Sequence, residues 1–155
     1  MWYNRVVRDL GEIPAAVSFY ENEIENSKGE SRISGNLEKN AQELSGITSY
    51  RFGQLQEIEA ILKHLNILYE KMRSEHYRRY LERYNRQLTD RSIEKYIDGE
   101  DDIVGMLTLI NEVSLIRNRY LALMKGLEIK HYQIGNITKL RIVGMEDVNL
   151  TTKGG

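Results

Sequence analysis

The longest uninterrupted pattern in the chain begins at Thr48, after which neither proline nor a cluster of turn residues occurs until Leu88-Thr89-Asp90. Within it, Leu55, Ile58, Leu62, Leu65, Tyr69, Met72 and His76 follow one another at steps of three and four residues. On a helix these steps stack on one stripe, so the segment reads as a long amphipathic helix carrying the seam of a helical hairpin or coiled coil. A second long pattern runs through Ile103, Met106, Ile110, Val113, Tyr120, Met124, Leu127 and Ile134, again close to heptad spacing. Between the two, Thr89 is a candidate cap for a short helix ending near Asp98-Gly99. Asp101 and Asp102 then sit where a helix N-terminus favours negative charge. The two long helices are expected to fold back antiparallel about residues 89 to 100.

The only proline, Pro14, suits the first turn of a short helix reaching about Asn26, while the residues before it are loosely patterned and receive no role. Ser27-Lys28-Gly29-Glu30-Ser31 reads as a loop, and Gly35-Asn36 as the cap of a second short helix through about Leu44, ended by Ser45-Gly46. Gly126, Gly135 and Gly144 read as close helix approach, kinks or, for Gly144, a C-terminal cap. No strand pattern rises above noise. The expectation is an all-α fold of two long antiparallel helices with short N-terminal helices, residues 1–150 forming a single helical domain and 151–155 a disordered tail. Leu109, Ile116 and Leu123 add a further stripe on another face of the second long helix. One partner helix would not cover that much apolar surface, so these three residues are expected at the subunit interface of a homo-oligomer.

Composition narrows the function classes. A chain of 155 residues, 41% hydrophobic and 29% charged, is long enough to bury a core. Its 22 basic and 23 acidic side chains leave a net charge of −1, so any nucleic-acid site must be local. Cysteine is absent, which excludes disulfides and thiolate metal sites. No apolar run follows a basic start and none is long enough to span a bilayer, so a cytoplasmic protein without a membrane partner is expected. His64, His76 and His131 are isolated, and no pair has the four-residue helical spacing of a zinc site. There is no glycine-rich phosphate loop and no Gly-x-Ser-x-Gly elbow. Acidic pairs such as Glu21 with Glu25 lie on positions that read as solvated. No catalytic residue, metal or cofactor is therefore expected, and no enzymatic activity.

Candidate binding chemistry concentrates in Tyr77-Arg78-Arg79-Tyr80-Leu81-Glu82-Arg83-Tyr84-Asn85-Arg86, at the end of the first long helix. Guanidinium groups pair with phosphates, and a phenol ring offers an unpaired base a face worth roughly 1–3 kcal/mol. The candidate nucleic-acid residues are Arg78, Arg79, Tyr80, Arg83, Tyr84 and Arg86. Arg79, Arg83 and Arg86 share a face by their spacing, whereas Arg78 lies about 100° from Arg79, so a strand would follow a groove. The plain alternative is a solvated, tyrosine-bearing helix contact. Glu94, Asp98, Glu100, Asp101 and Asp102, brought close by the antiparallel return, are expected to neutralise part of the cluster.

The order of these segments resembles the UvsY family of phage recombination mediators over about Ile24 to Gly144. The resemblance rests on Asn36-Leu37-Glu38, on Arg78-Arg79-Tyr80-Leu81-Glu82-Arg83-Tyr84, on Ile93-Glu94-Lys95-Tyr96, and on Ile129-Lys130-His131-Tyr132-Gln133-Ile134 with Leu140-Arg141. It implies a non-enzymatic single-stranded DNA-binding protein. As a ring-like homo-oligomer, such a protein helps load a phage recombinase onto strands coated with single-strand-binding protein, in the host cytoplasm. By position the resemblance places DNA contact at Arg78 with Arg79 adjacent, and Tyr80 stands where the family can carry a second basic residue. A rival from another class is a helical structural or adaptor protein whose Arg-Tyr segment is a protein–protein interface.

Overall fold

The structure, a computed structural model, describes residues 1–84 and 87–144. Arg86 and the expected tail at 151–155 lie outside the described residues. Five α-helices follow in order: α1 (Trp2–Arg8), α2 (Ile13–Asn26), α3 (Leu37–Arg83), α4 (Asp90–Asp98) and α5 (Asp101–Ile142), with a 3₁₀ turn at Leu10–Glu12 and no strand among the described residues. The loosely patterned start is helical. Arg5 lies over the Trp2 ring at 4.1 Å and pairs with Glu12, and the Asp9 carboxylate accepts the Gly11 N–H at 2.8 Å to cap the 3₁₀ turn. Pro14 falls in the first turn of α2, where its missing N–H costs nothing.

Asn36 does cap a helix, its side chain accepting the Lys39 N–H at 3.2 Å, but that helix does not stop at Ser45-Gly46. It runs unbroken for 47 residues. A single helical glycine costs only about 1 kcal/mol relative to alanine, less than the burial of Leu44 on one side and Leu55 on the other returns. Thr89 caps α4 by accepting the Ser92 N–H at 3.2 Å, and α5 begins at Asp101 with both aspartates in its first turn. Gly144, with φ of 76°, closes the last turn behind α5 in the left-handed region.

The chain divides into two compact units, residues 1–17 with 57–116 and residues 18–56 with 117–155. In the first, Ile58, Leu62 and Leu65 of α3 are buried with Ile93 and Ile97 of α4, Ile103, Met106 and Val113 of α5, and Val6 and Ile13 from the N-terminal helices. Each such side chain contributes about 1.5–3 kcal/mol of transfer free energy. Tyr80 bonds Glu100 and His76 bonds Asp102, so residue numbers fall along α3 as they rise along α5, which makes the pairing antiparallel.

The second unit buries Tyr20, Leu44, Leu55, Tyr120 and Leu127 around a polar centre. Arg51 is buried there, its Nε and Nη2 gripping Glu30 at 2.9 and 2.7 Å while Nη1 donates to Glu23 and to Gln54, both at 2.9 Å. The Gln54 carbonyl also accepts the Tyr120 hydroxyl at 3.0 Å, tying α3 to α5. Buried Lys130 donates to the Glu30 backbone carbonyl at 2.8 Å, and burial lowers its pKa. Gly126 has the Ser31 Cβ only 3.0 Å from where its own Cβ would stand, a close approach of the 27–36 loop to α5.

Candidate nucleic-acid interface

At the C-terminal end of α3 three tyrosines form one stack. The Tyr80 and Tyr84 rings lie 5.2 Å apart at 24°, and Tyr80 faces Tyr96 of α4 at 5.7 Å and 19°. Tyr80 and Tyr84 are neighbours through four-residue helical spacing, while α4 turns back against α3 because Ile93 and Ile97 must be buried, which leaves Tyr96 on its flank. The middle ring is half-buried, and the outer two are 57% and 56% exposed. The Tyr80 hydroxyl donates to Glu100 at 2.6 Å, a bond that pushes its pKa up to about 12 and keeps the phenol neutral. Tyr77 is held in the same way by Asp90 at 2.6 Å, again with its pKa raised.

The acidic return reaches Arg73 of the basic segment but, among the described residues, not Arg78, Arg79 or Arg83. Asp98 pairs with Arg73 at 2.7 Å, Asp102 with His76, Glu100 with Tyr80 and Asp90 with Tyr77. Arg78, Arg79 and Arg83 are exposed and make no ion pair among the described residues. Arg78 lines one wall of a groove of about 320 Å³ together with Arg73, Tyr77, Leu81 and Glu94. The arrangement sets exposed guanidinium groups, without an ion pair among the described residues, near two tyrosines that are more than half exposed.

The three residues of the expected subunit stripe differ in burial within the chain. Ile116 is only 2% exposed within its own chain. Leu109 and Leu123 are half-buried. The apolar surface left open on α5 includes Val104, Leu107, Leu115, Leu121, Ile129, Leu140 and Ile142. Ile116 lies three residues from Val113 and four from Tyr120, so it shares their buried face of α5.

The sequence placed Arg78, Arg79, Tyr80, Arg83 and Tyr84 together and brought Glu100 near them, but did not pair Tyr80 with Tyr96 or with Glu100. No periodicity links Tyr96 to Tyr80; the available signal was the Ile93/Ile97 pair, which sets the buried face of α4 and hence its flank. No described helix is long and apolar enough to cross a membrane. No family model, curated protein or solved structure matches the chain.

Proposed function

We propose that the chain is a single-stranded DNA-binding protein, acting without chemistry of its own as a homo-oligomeric recombination mediator of the UvsY kind. The observation that carries this reading is the tyrosine stack, its outer rings more than half exposed, beside three arginines that make no ion pair among the described residues. Stacking tolerates any base, and guanidinium groups address the phosphates common to every strand, so binding is sequence-tolerant. The net charge of −1 confines the attraction to this patch. Repetition of the patch around an oligomer, assembled through the exposed leucines and isoleucine of α5, turns a modest site into a high-avidity track. A recombinase and a single-strand-binding protein are the partners that the resemblance supplies.

The test is binding to a labelled oligothymidine as a function of salt, where each neutralised phosphate adds about −0.7 to the logarithmic slope. Arg78→Ala with Arg79→Ala should weaken binding equally on oligothymidine and oligoadenosine and make the slope shallower by up to about 1.4, with helicity retained. Wild-type behaviour of that double variant sinks the assignment. Leu81 is 56% exposed at the edge of the groove, which favours the adaptor reading as the second choice. An adaptor would show no salt-dependent strand binding.

A further inference from the structure

The geometry points to a site for a divalent cation of the zinc class at His76 and Glu100, oriented by Asp102, in the first unit. His76 is 4% exposed, and its Nε2 lies 2.8 and 2.9 Å from the two oxygens of Asp102. With the Nε2–H donated to that carboxylate, Nδ1 is the ring atom left to act as a metal donor. Nδ1 is buried, has no hydrogen-bond partner, and stands 3.9 Å from Glu100 Oε1.

A separation of 3.9 Å is too long for a hydrogen bond. It suits two donors of a single ion. Zinc holds imidazole nitrogen and carboxylate oxygen at about 2.0–2.2 Å, which puts them about 3.4 Å apart at the tetrahedral angle, so a closing movement of about half an ångström completes the pair. Donor atoms from His76, Glu100 and Asp102 all lie within 4.8 Å of one another. A carboxylate on the far nitrogen is how ligating histidines are usually fixed in tautomer and orientation. Glu100 is only partly covered, so the carboxylate side of the site is open to solvent. Imidazole with carboxylate and no thiolate selects zinc, nickel or cobalt over magnesium, which prefers oxygen alone.

The cation would tie His76 of α3 to the turn before α5, on the same Glu100 that holds Tyr80. The site does not depend on the strand-binding reading and is tested without DNA. Calorimetric titration of the full chain with zinc, and visible absorption with cobalt, should give one ion per chain, with magnesium giving none. Glu100→Gln and His76→Gln should each weaken binding by at least about tenfold, and Asp102→Asn by about 10- to 100-fold. If His76→Gln loses its circular dichroism, Glu100→Gln on the more exposed partner decides the matter. Absence of stoichiometric zinc binding, or binding that survives Glu100→Gln unchanged, overturns the assignment; the latter would place the ion on another surface histidine.

Discussion

Truncation of both Tyr84 and Tyr96 to alanine strips the two open ends from the tyrosine stack and leaves Arg78, Arg79 and Arg83 untouched. Each ring is more than half exposed, so the cost to the fold is confined to its contact with Tyr80, about 0.5–1.5 kcal/mol per pair. The cost to strand binding is larger. One base resting on each outer face contributes roughly 1–3 kcal/mol, or about 2–6 kcal/mol for the two. Since 1.4 kcal/mol is about a factor of ten, the double variant should bind single-stranded DNA roughly 30-fold more weakly at the least. No phosphate contact is removed, so the salt slope should stay that of the wild type, in contrast to the arginine variant. Tyr84→Phe with Tyr96→Phe keeps both faces and should bind normally. The assay is fluorescence anisotropy of a labelled oligothymidine at several salt concentrations, with circular dichroism confirming that helicity is retained. Affinity within about twofold of wild type, or a loss accompanied by a shallower slope, would refute the stacking role.

Three further outcomes follow from the packing. Arg51→Met strands the Glu23 and Glu30 carboxylates in a partly buried centre and should destabilise the chain by about 3–5 kcal/mol in chemical denaturation; an unchanged midpoint would mean that the network is not formed in solution. The hydrogen bond from His76 holds the Asp102 pKa below its ordinary value, so the folded chain binds that proton less readily than the unfolded chain. The stabilisation is present above the ordinary carboxylate range and disappears as pH falls through the folded-state value, so Asp102→Asn should flatten the acid limb of melting temperature against pH. Gly135 has open space around its Cβ position and Gly126 does not. Gly135→Ala should therefore stabilise by up to about 1 kcal/mol, whereas Gly126→Ala should lose that gain to displacement of Ser31, and equal melting temperatures would contradict the close approach.

Chemistry carried within a few residues was legible from sequence alone. Thr89 caps α4 through a backbone N–H three residues away, the aspartates at 101 and 102 open α5, and the Leu55 to Leu65 stripe is buried because helical spacing alone decides which side chains share a face. The clustering of Arg78, Arg79, Arg83, Tyr80 and Tyr84 was visible for the same reason. What covers a face depends on residues far away in the chain, and that is where tertiary structure decided. Continuation of α3 through Ser45-Gly46 rests on burial of Leu44 and Leu55, which outweighs a local propensity of about 1 kcal/mol. Ile116 is buried within its own chain, on the face of α5 that also buries Val113 and Tyr120. Tyr96 joins the stack only once α4 has turned back, and Glu100 holds Tyr80 across 20 residues of sequence. Among the described residues Arg78, Arg79 and Arg83 make no ion pair, while Arg73, His76 and two tyrosine hydroxyls engage the acidic return. Such choices are competitions between partners in space, and a one-dimensional pattern records the competitors without their distances.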